Sequence, residues 1–347
     1  MTRGDFYLTE QSTPGKKIFT FFLAFFLILV FFGFQAQNLD ASKKIRIVTS
    51  VFPLMEFAAA VSGDRGEVRL LLPPGAEIHT WQPRPSDIIR FSSADLFVYI
   101  GQGLEPWLHD LLKSVRNPNL KALEASRGIP LIDEEGFVVD GSQRRKEGII
   151  HNADKHQEES IVHSKREHEH GAYDPHIWLD FKNDRTIVDK IAAVLSEIDP
   201  EGSAVFEKNA AAYKEKLGRL DQKFKDELKD CDHQTIILGG HAAFGYLARS
   251  YNLRQVSLYG LSPDSRPTPQ KLIQVVELAK KYGIKVIFFE VHASDELAKV
   301  LAEEVGARTL VLNPGANLTK QELKSGKTFF DIMEENLENL KDGLSCK

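Results

Sequence analysis

Cysteine is nearly absent from this chain: Cys231 and Cys346 are the only two in 347 residues. Two thiols without a C-x-x-C neighbour argue against a thiolate zinc site. In an oxidising compartment an even count invites one disulfide, Cys231 to Cys346, with two separate thiols as the alternative. Net positive charge is also lacking. The formal charge is −5, which argues against nucleic acid as a partner, because phosphate binding wants a basic face. No G-x-x-x-x-G-K-[ST] run occurs, so no phosphate-cradling loop is expected and no ATP hydrolysis by this chain. No H-E-x-x-H occurs either, which removes one signature of zinc hydrolases.

What the N-terminus does have is a long apolar run. Arg3, Lys16 and Lys17 precede residues 18–34, "IFTFFLAFFLILVFFGF", and Ala36 follows. A positive segment, an apolar segment and a small residue make a secretory signal over residues 1–36, the cut site approximate. The run is long for such a signal and short for a spanning helix, so a retained membrane anchor is the alternative. No cysteine follows it, so a bacterial lipid-anchored cysteine is not expected. Either reading puts the body of the protein outside the cytoplasm, and the periplasm is the expected compartment.

Beyond residue 44, short β-branched runs alternate with helical patterns. "IRIVTS" (45–50), "EVRLLL" (67–72) and residues 96–100 read as strands, with helices over "PLMEFAAAVSG" and from about Pro85. The second half repeats the scheme. Strands are expected at 234–240, 284–290 and "RTLVL". Thr268, Pro269 and Gly283 bracket one helix, and Ser294 and Gly306 bracket another. Strand, helix, strand at this spacing means parallel sheet. Between the halves, Phe206, Ala210, Tyr213, Leu217, Leu220, Phe224 and Leu228 fall on one helical stripe. The expected class is α/β, with two parallel-sheet lobes joined by a long helix and a cleft between them. The divisions are an N-terminal lobe at 44–200, a connecting helix at 201–230 and a C-terminal lobe at 231–347. Residues 140–171 hold little apolar material and read as a mobile loop.

Three histidines stand just past strand ends, where open α/β sheets collect ligands. His79 follows a strand through a Pro-Pro-Gly turn, His176 opens "HIWLD", and His241 follows "TIILGG". A histidine after a strand is more often a simple hydrogen-bonding residue, and His109, His233 and His292 are read that way. The flanking residues set the first three apart. "GAEIHTWQPRPSD" (75–87), "DPHIWLD" (174–180) and "GGHAAFGYLARSYNL" (239–253) resemble three segments of the zinc- and manganese-binding solute proteins of bacterial ABC transporters. These form the cluster with a rigid connecting helix, and residues 262–290 match a fourth segment.

The resemblance implies metal ligands at His79, His176 and His241. Three imidazoles suit Zn²⁺, whereas carboxylate-rich sites suit the harder Mn²⁺. Where that family commonly has a fourth ligand, an aspartate, this chain has Asn313. Water, Asn313 or an unplaced carboxylate are the candidates for that position. Ile177, Trp178 and Leu179 are expected as core that anchors His176, and Asp174 or Asp180 as the acceptor for its second ring N–H. His151, His156, His163, His168 and His170 are five of the eleven histidines, set in the same acid-rich tract. They read as a weak secondary metal-capture loop, or as a solvated insertion with incidental histidines.

The implied function is capture of Zn²⁺ outside the cytoplasm by a monomer that is not an enzyme, and delivery to the membrane permease of an ABC transporter. Manganese or iron cargo on the same fold is one alternative. A secreted zinc hydrolase is another, since three histidines and an open position also describe catalytic zinc. A surface adhesin or metal buffer that never meets a permease is the third.

Overall fold

Runs that are apolar at nearly every position suit strands covered on both faces. A computed structural model places them so, and describes residues 1, 43–133, 173–263, 267–291 and 296–347. The apolar run at 18–34, the five-histidine tract, His292 and Ser294 lie outside the described residues. In chain order the first half holds β1 (Ile45–Thr49), α1 (Phe52–Ser62), β2 (Gly66–Leu70), α2 (Pro85–Phe91), β3 (Leu96–Tyr99), α3 (Leu108–Ser114), β4 (Lys121–Glu124) and α4 (Phe181–Ile198). Then comes α5 (Ser203–Glu227). The second half holds β5 (Thr235–Leu238), α6 (Gly245–Ser250), β6 (Arg254–Ser257), α7 (Pro269–Lys281), β7 (Val286–Phe289), α8 (Glu296–Val305), β8 (Arg308–Val311), α9 (Lys320–Ser325) and α10 (Phe329–Leu344).

Two parallel sheets result, in the orders β2-β1-β3-β4 and β6-β5-β7-β8. Ile47 of β1 lies opposite Leu96 of β3, and Val286 of β7 opposite Arg308 of β8. The two halves therefore share one topology. The edge strands β4, "KALE", and β6, "RQVS", carry no continuous apolar run, and sequence periodicity does not show them. The helix α7 begins as read, with the Thr268 hydroxyl accepting from the Lys271 N–H. Asp180 serves α4 in the same way: its carboxylate accepts from the Lys182 N–H. It is the helix cap, which removes it as the acceptor for His176.

The connecting helix α5 buries Phe206, Ala210, Tyr213, Leu217, Leu220 and Phe224, the stripe seen in the sequence. It is not the only tie between the sheets. In β5, Ile236 and Leu238 face a large core that also contains Ile47, Phe97 and Phe206. Ile237 faces a smaller core formed with α7 and α8. The two-residue period of a strand thus divides β5 between two cores. Aromatic rings extend the shared core across the halves: Phe57 of α1 packs edge-on against Tyr213 of α5 and Phe329 of α10, at 5.6 and 5.5 Å.

Backbone and side-chain hydrogen bonds add to this. Phe52 N–H reaches Ala316 O at 2.9 Å, and the Trp178 indole N–H reaches Pro314 O at 2.7 Å. Trp178 is therefore core, as read from the sequence, and also a strut to the loop after β8. Residues 44–347 accordingly form one compact unit. Among the described residues no helix is long and apolar enough to cross a membrane.

Cys231 and Cys346 are joined by a disulfide, across a sequence separation of 115 residues. It pins the C-terminal end of α10 to the segment between α5 and β5. A cross-link over so long a loop removes much of the unfolded chain's freedom, on the order of 4–5 kcal/mol in the chain-entropy treatment. The double variant Cys231→Ser/Cys346→Ser is expected to lose about 3–5 kcal/mol in urea unfolding, with the metal-centre residues left in place. An unchanged denaturation midpoint would show that the bridge adds nothing to stability.

Candidate metal centre

In each sheet the strand order reverses direction at its centre, between β1 and β3 and between β5 and β7. At such a point the loops from neighbouring strands diverge and open a crevice at the carboxyl ends. In the second sheet that crevice is lined from both sides. Gly239 and Gly240 carry the chain from β5 to His241, and Glu290 follows β7 directly. The Glu290 carboxylate accepts two hydrogen bonds from one residue: the His241 backbone N–H at 3.0 Å and the His241 Nδ1–H at 2.8 Å. Gly240 is required by this contact, because a Cβ there would lie 2.2 Å from Glu290 Oε1.

The same device recurs at His176. One Asp174 oxygen accepts from the His176 backbone N–H and from its Nδ1–H, both at 2.8 Å. Here the room is made by Gly245 at the start of α6, where a Cβ would lie 2.6 Å from Asp174 Oδ2. Two glycines of "GGHAAFG" thus admit the two carboxylates that orient the two histidines. Of the two acceptors expected for His176, Asp174 is the one used. At His79, Glu77 Oε1 accepts the backbone N–H, at the longer distance of 3.2 Å.

With Nδ1 bound to a carboxylate, a neutral imidazole presents a lone pair at Nε2. The Nε2 atoms of His176 and His241 face each other at 3.2 Å. Two nitrogens about 2.05 Å from a tetrahedral zinc ion stand about 3.3 Å apart. The third ring is adjacent, its centroid 5.5 Å from His176 and 5.4 Å from His241. His79 Nε2 is buried and has no hydrogen-bond partner among the described residues. One ligating atom from each of the three histidines lies within 4.8 Å of the others, the only group of three or more His, Cys, Asp or Glu among the described residues suited to a metal. These rings close a cavity of about 100 Å³ whose wall also includes Glu77, Glu290 and Asn313. That volume suits an ion with at most a few waters.

Burial and charge set the protonation of the cluster. Burial, followed by the neighbouring imidazoles, lowers the pKa of His79 to about 2. Burial likewise holds His176 well below the usual histidine range and pushes the Asp174 carboxyl well above its own. Both shifts favour the neutral forms. His241 differs. Burial pulls it down, but the Glu290 carboxylate, by charge and by hydrogen bond, raises it on balance. With Nδ1 bound to Glu290, a proton added to neutral His241 would sit on Nε2, the atom that faces Nε2 of His176.

Asn313 stands at the end of β8 in the cavity wall, and its amide oxygen accepts the Gly315 N–H at 2.8 Å. His109 is exposed on α3, and His233 takes part in backbone pairing through its N–H to Leu344 O. Both are ordinary polar residues away from the cluster. Glu290 was not singled out in the sequence. Its signal there is an acidic residue closing the apolar run "VIFF" at the strand next to the one that delivers His241.

Residues 47–343 match the family described as zinc-uptake complex component A, periplasmic. The zinc-binding protein AdcA of Streptococcus pyogenes is 37% identical over 318 residues, which is 91% of this chain and 59% of that protein. The chain thus spans well under two thirds of the AdcA length. The high-affinity zinc uptake system protein ZnuA of Bacillus subtilis is 39% identical over 304 residues, covering 88% of this chain and 89% of that one. Among solved structures, the Zn(II)-bound ZnuA-like domain of Streptococcus pneumoniae AdcA superposes with a TM-score of 0.67 at 34% identity, over 87% of this chain and 99% of that one. The two four-stranded parallel sheets, the long helix between them and the match over residues 47–343 agree: the chain belongs to the ZnuA family of periplasmic zinc-uptake components.

Proposed function

We propose that this chain is an extracytoplasmic zinc-binding subunit of an ABC importer, which captures Zn²⁺ through His79, His176 and His241 and hands it to a membrane permease. The single observation that carries this reading is the Nε2 pair of His176 and His241 at 3.2 Å, each ring fixed from behind by a carboxylate. Three neutral nitrogen donors of borderline softness favour Zn²⁺ over Mn²⁺. The Asn313 amide oxygen lines the cavity and accepts from Gly315 with one of its two lone pairs, so Asn313 and water are the candidates for the fourth position. The structural divisions at 44–200, 201–230 and 231–347 serve this as two walls and a brace. The tract with His151, His156, His163, His168 and His170 is a second, weaker metal-collecting element.

Metal analysis of the purified protein is expected to find one tightly held zinc ion. His241→Ala should weaken zinc by at least about a hundredfold in competition with a chromophoric chelator. Equal affinity in that variant would refute the ligand assignment, and tighter retention of manganese than zinc would refute the cargo.

The protonation pattern gives a second expectation. Burial holds His79 and His176 below the usual histidine range while Glu290 raises His241, so His241 is the ring whose proton zinc must displace first as pH falls. Zinc affinity should be flat above the raised His241 pKa and fall about tenfold per pH unit below it. Calorimetry in buffers of different ionisation enthalpy should show release of close to one proton per ion. A slope of three would mean that all three rings titrate together.

Glu290 acts behind His241. Glu290→Gln should cost about ten- to a hundredfold in zinc affinity, as outer partners of metal ligands commonly do. Because the charge that raises His241 is gone, the onset of acid loss should move to lower pH in the same variant. Weaker binding with an unmoved pH profile would assign Glu290 a packing role only.

A further inference from the structure

The loop after β8 touches the centre in a way that neither its sequence nor its place in the cavity wall announces. Asn317 is buried and belongs to the second half of the chain, yet its side-chain amide reaches into the first. Its Nδ2 donates to Pro73 O at 2.7 Å and to Ala76 O at 2.9 Å. Its Oδ1 accepts the Leu318 N–H at 2.8 Å, and Leu318 O accepts the Gly75 N–H at 2.9 Å. Residues 73–76 form the turn that ends the approach to His79, with Ala76 N–H bonded back to Pro73 O and Gly75 at φ +79°. The turn has left the sheet, so its two carbonyls have no ladder partner there. Pro73 O takes one amide N–H in addition to the Ala76 N–H, and Ala76 O takes the other, so one side-chain amide bridges two carbonyls, which one backbone N–H cannot do.

The far end of the clasp is itself held. Asn336 of α10 accepts the Asn313 N–H at 2.8 Å and donates to Asn313 O at 2.7 Å, while the Asn313 side chain closes the turn onto Gly315. Three buried asparagines therefore connect the C-terminal helix to the His79 turn. His79 is the ring that depends on such support. His176 and His241 are oriented by carboxylates at Nδ1, whereas the Glu77 carboxylate accepts the His79 backbone N–H.

We propose that Asn317 is a positioning residue for metal capture: it clasps the 73–76 turn across the two halves and so sets where His79 stands relative to the other two rings. The proposal rests on His79 being a ligand, as read above. Asn317 does not touch the ion. It determines how much of the turn's freedom has already been removed before His79 closes on the metal, which governs affinity through preorganisation.

The test is a double-mutant cycle on the full chain with zinc as the probe, using Asn317→Ala, Asn317→Asp and His79→Ala, with folding checked by circular dichroism. Asn317→Asp keeps the size but puts an acceptor against two carbonyls. Both Asn317 variants should weaken zinc by about ten- to a hundredfold in the presence of His79. In the His79→Ala background they should change affinity by less than about twofold. Full loss in both backgrounds would reduce Asn317 to general structure and overturn the proposal. Unchanged affinity in the Asn317 variants, with loss in His79→Ala, would overturn it and leave the ligand set standing. Unchanged affinity in His79→Ala would sink the ligand reading itself.

A measurement on the unaltered protein guards against variants that do not fold. By reciprocity, zinc that binds through His79 must also stabilise the clasp. Zinc should therefore slow hydrogen exchange at the Gly75 and Ala76 amides by at least about tenfold. Exchange there that is indifferent to bound zinc would overturn the proposal.

Discussion

Two imidazole lone pairs held face to face in a largely buried cleft are an unstable arrangement without a cation between them. The rest of the centre exists to impose it. Asp174 and Glu290 each fix one ring by its backbone N–H and its Nδ1 together, so neither ring can turn its Nε2 away. The two pairs are not equivalent electrically. At the Asp174 pair burial favours the neutral form of both groups. At the Glu290 pair the carboxylate behind the ring raises His241 on balance against burial. The two rings are thus shifted in opposite directions.

Such an arrangement demands a stiff frame, since 3.2 Å between two nitrogens of residues from opposite halves leaves little tolerance. The frame is a shared core more than a single long helix. The inner face of the second sheet packs into the same apolar mass as the first, with α5 and α10 between them. The Trp178 and Phe52 hydrogen bonds to the loop after β8 fasten the backbone close to His176 and to the first sheet's crevice. Wide hinge motion would have to break this core. On the proposed reading of His79 as a ligand, it is the one of the three rings carried on a turn, and the Asn317 clasp holds that turn.

Much of the fold was legible in the sequence because its signals are local. Apolar runs marked β1, β3, β5 and β7, which are covered on both faces, and the helical stripe marked α5. The edge strands β4 and β6 were not, because a strand paired on one side only needs no continuous apolar run. Asp180 shows the limit of local reasoning: adjacent to "HIWL", it was a plausible partner for His176, but it is used at the N-terminus of α4. Glu290 was invisible for the opposite reason, being distant in sequence from the ring it orients.

By itself the sequence determined the chemistry available: three imidazoles, two of them following strands, no thiolate cluster, glycines where the chain had to come close, and a family pattern carried by "DPHIWLD" and "GGHAAFG". Only the tertiary structure decided which nitrogen each histidine presents, which carboxylate stands behind it and which way each ring's pKa is shifted. Those depend on contacts between residues brought together from different strands. Burial and charge at such contacts are properties of the packed interior, and no stretch of sequence contains them.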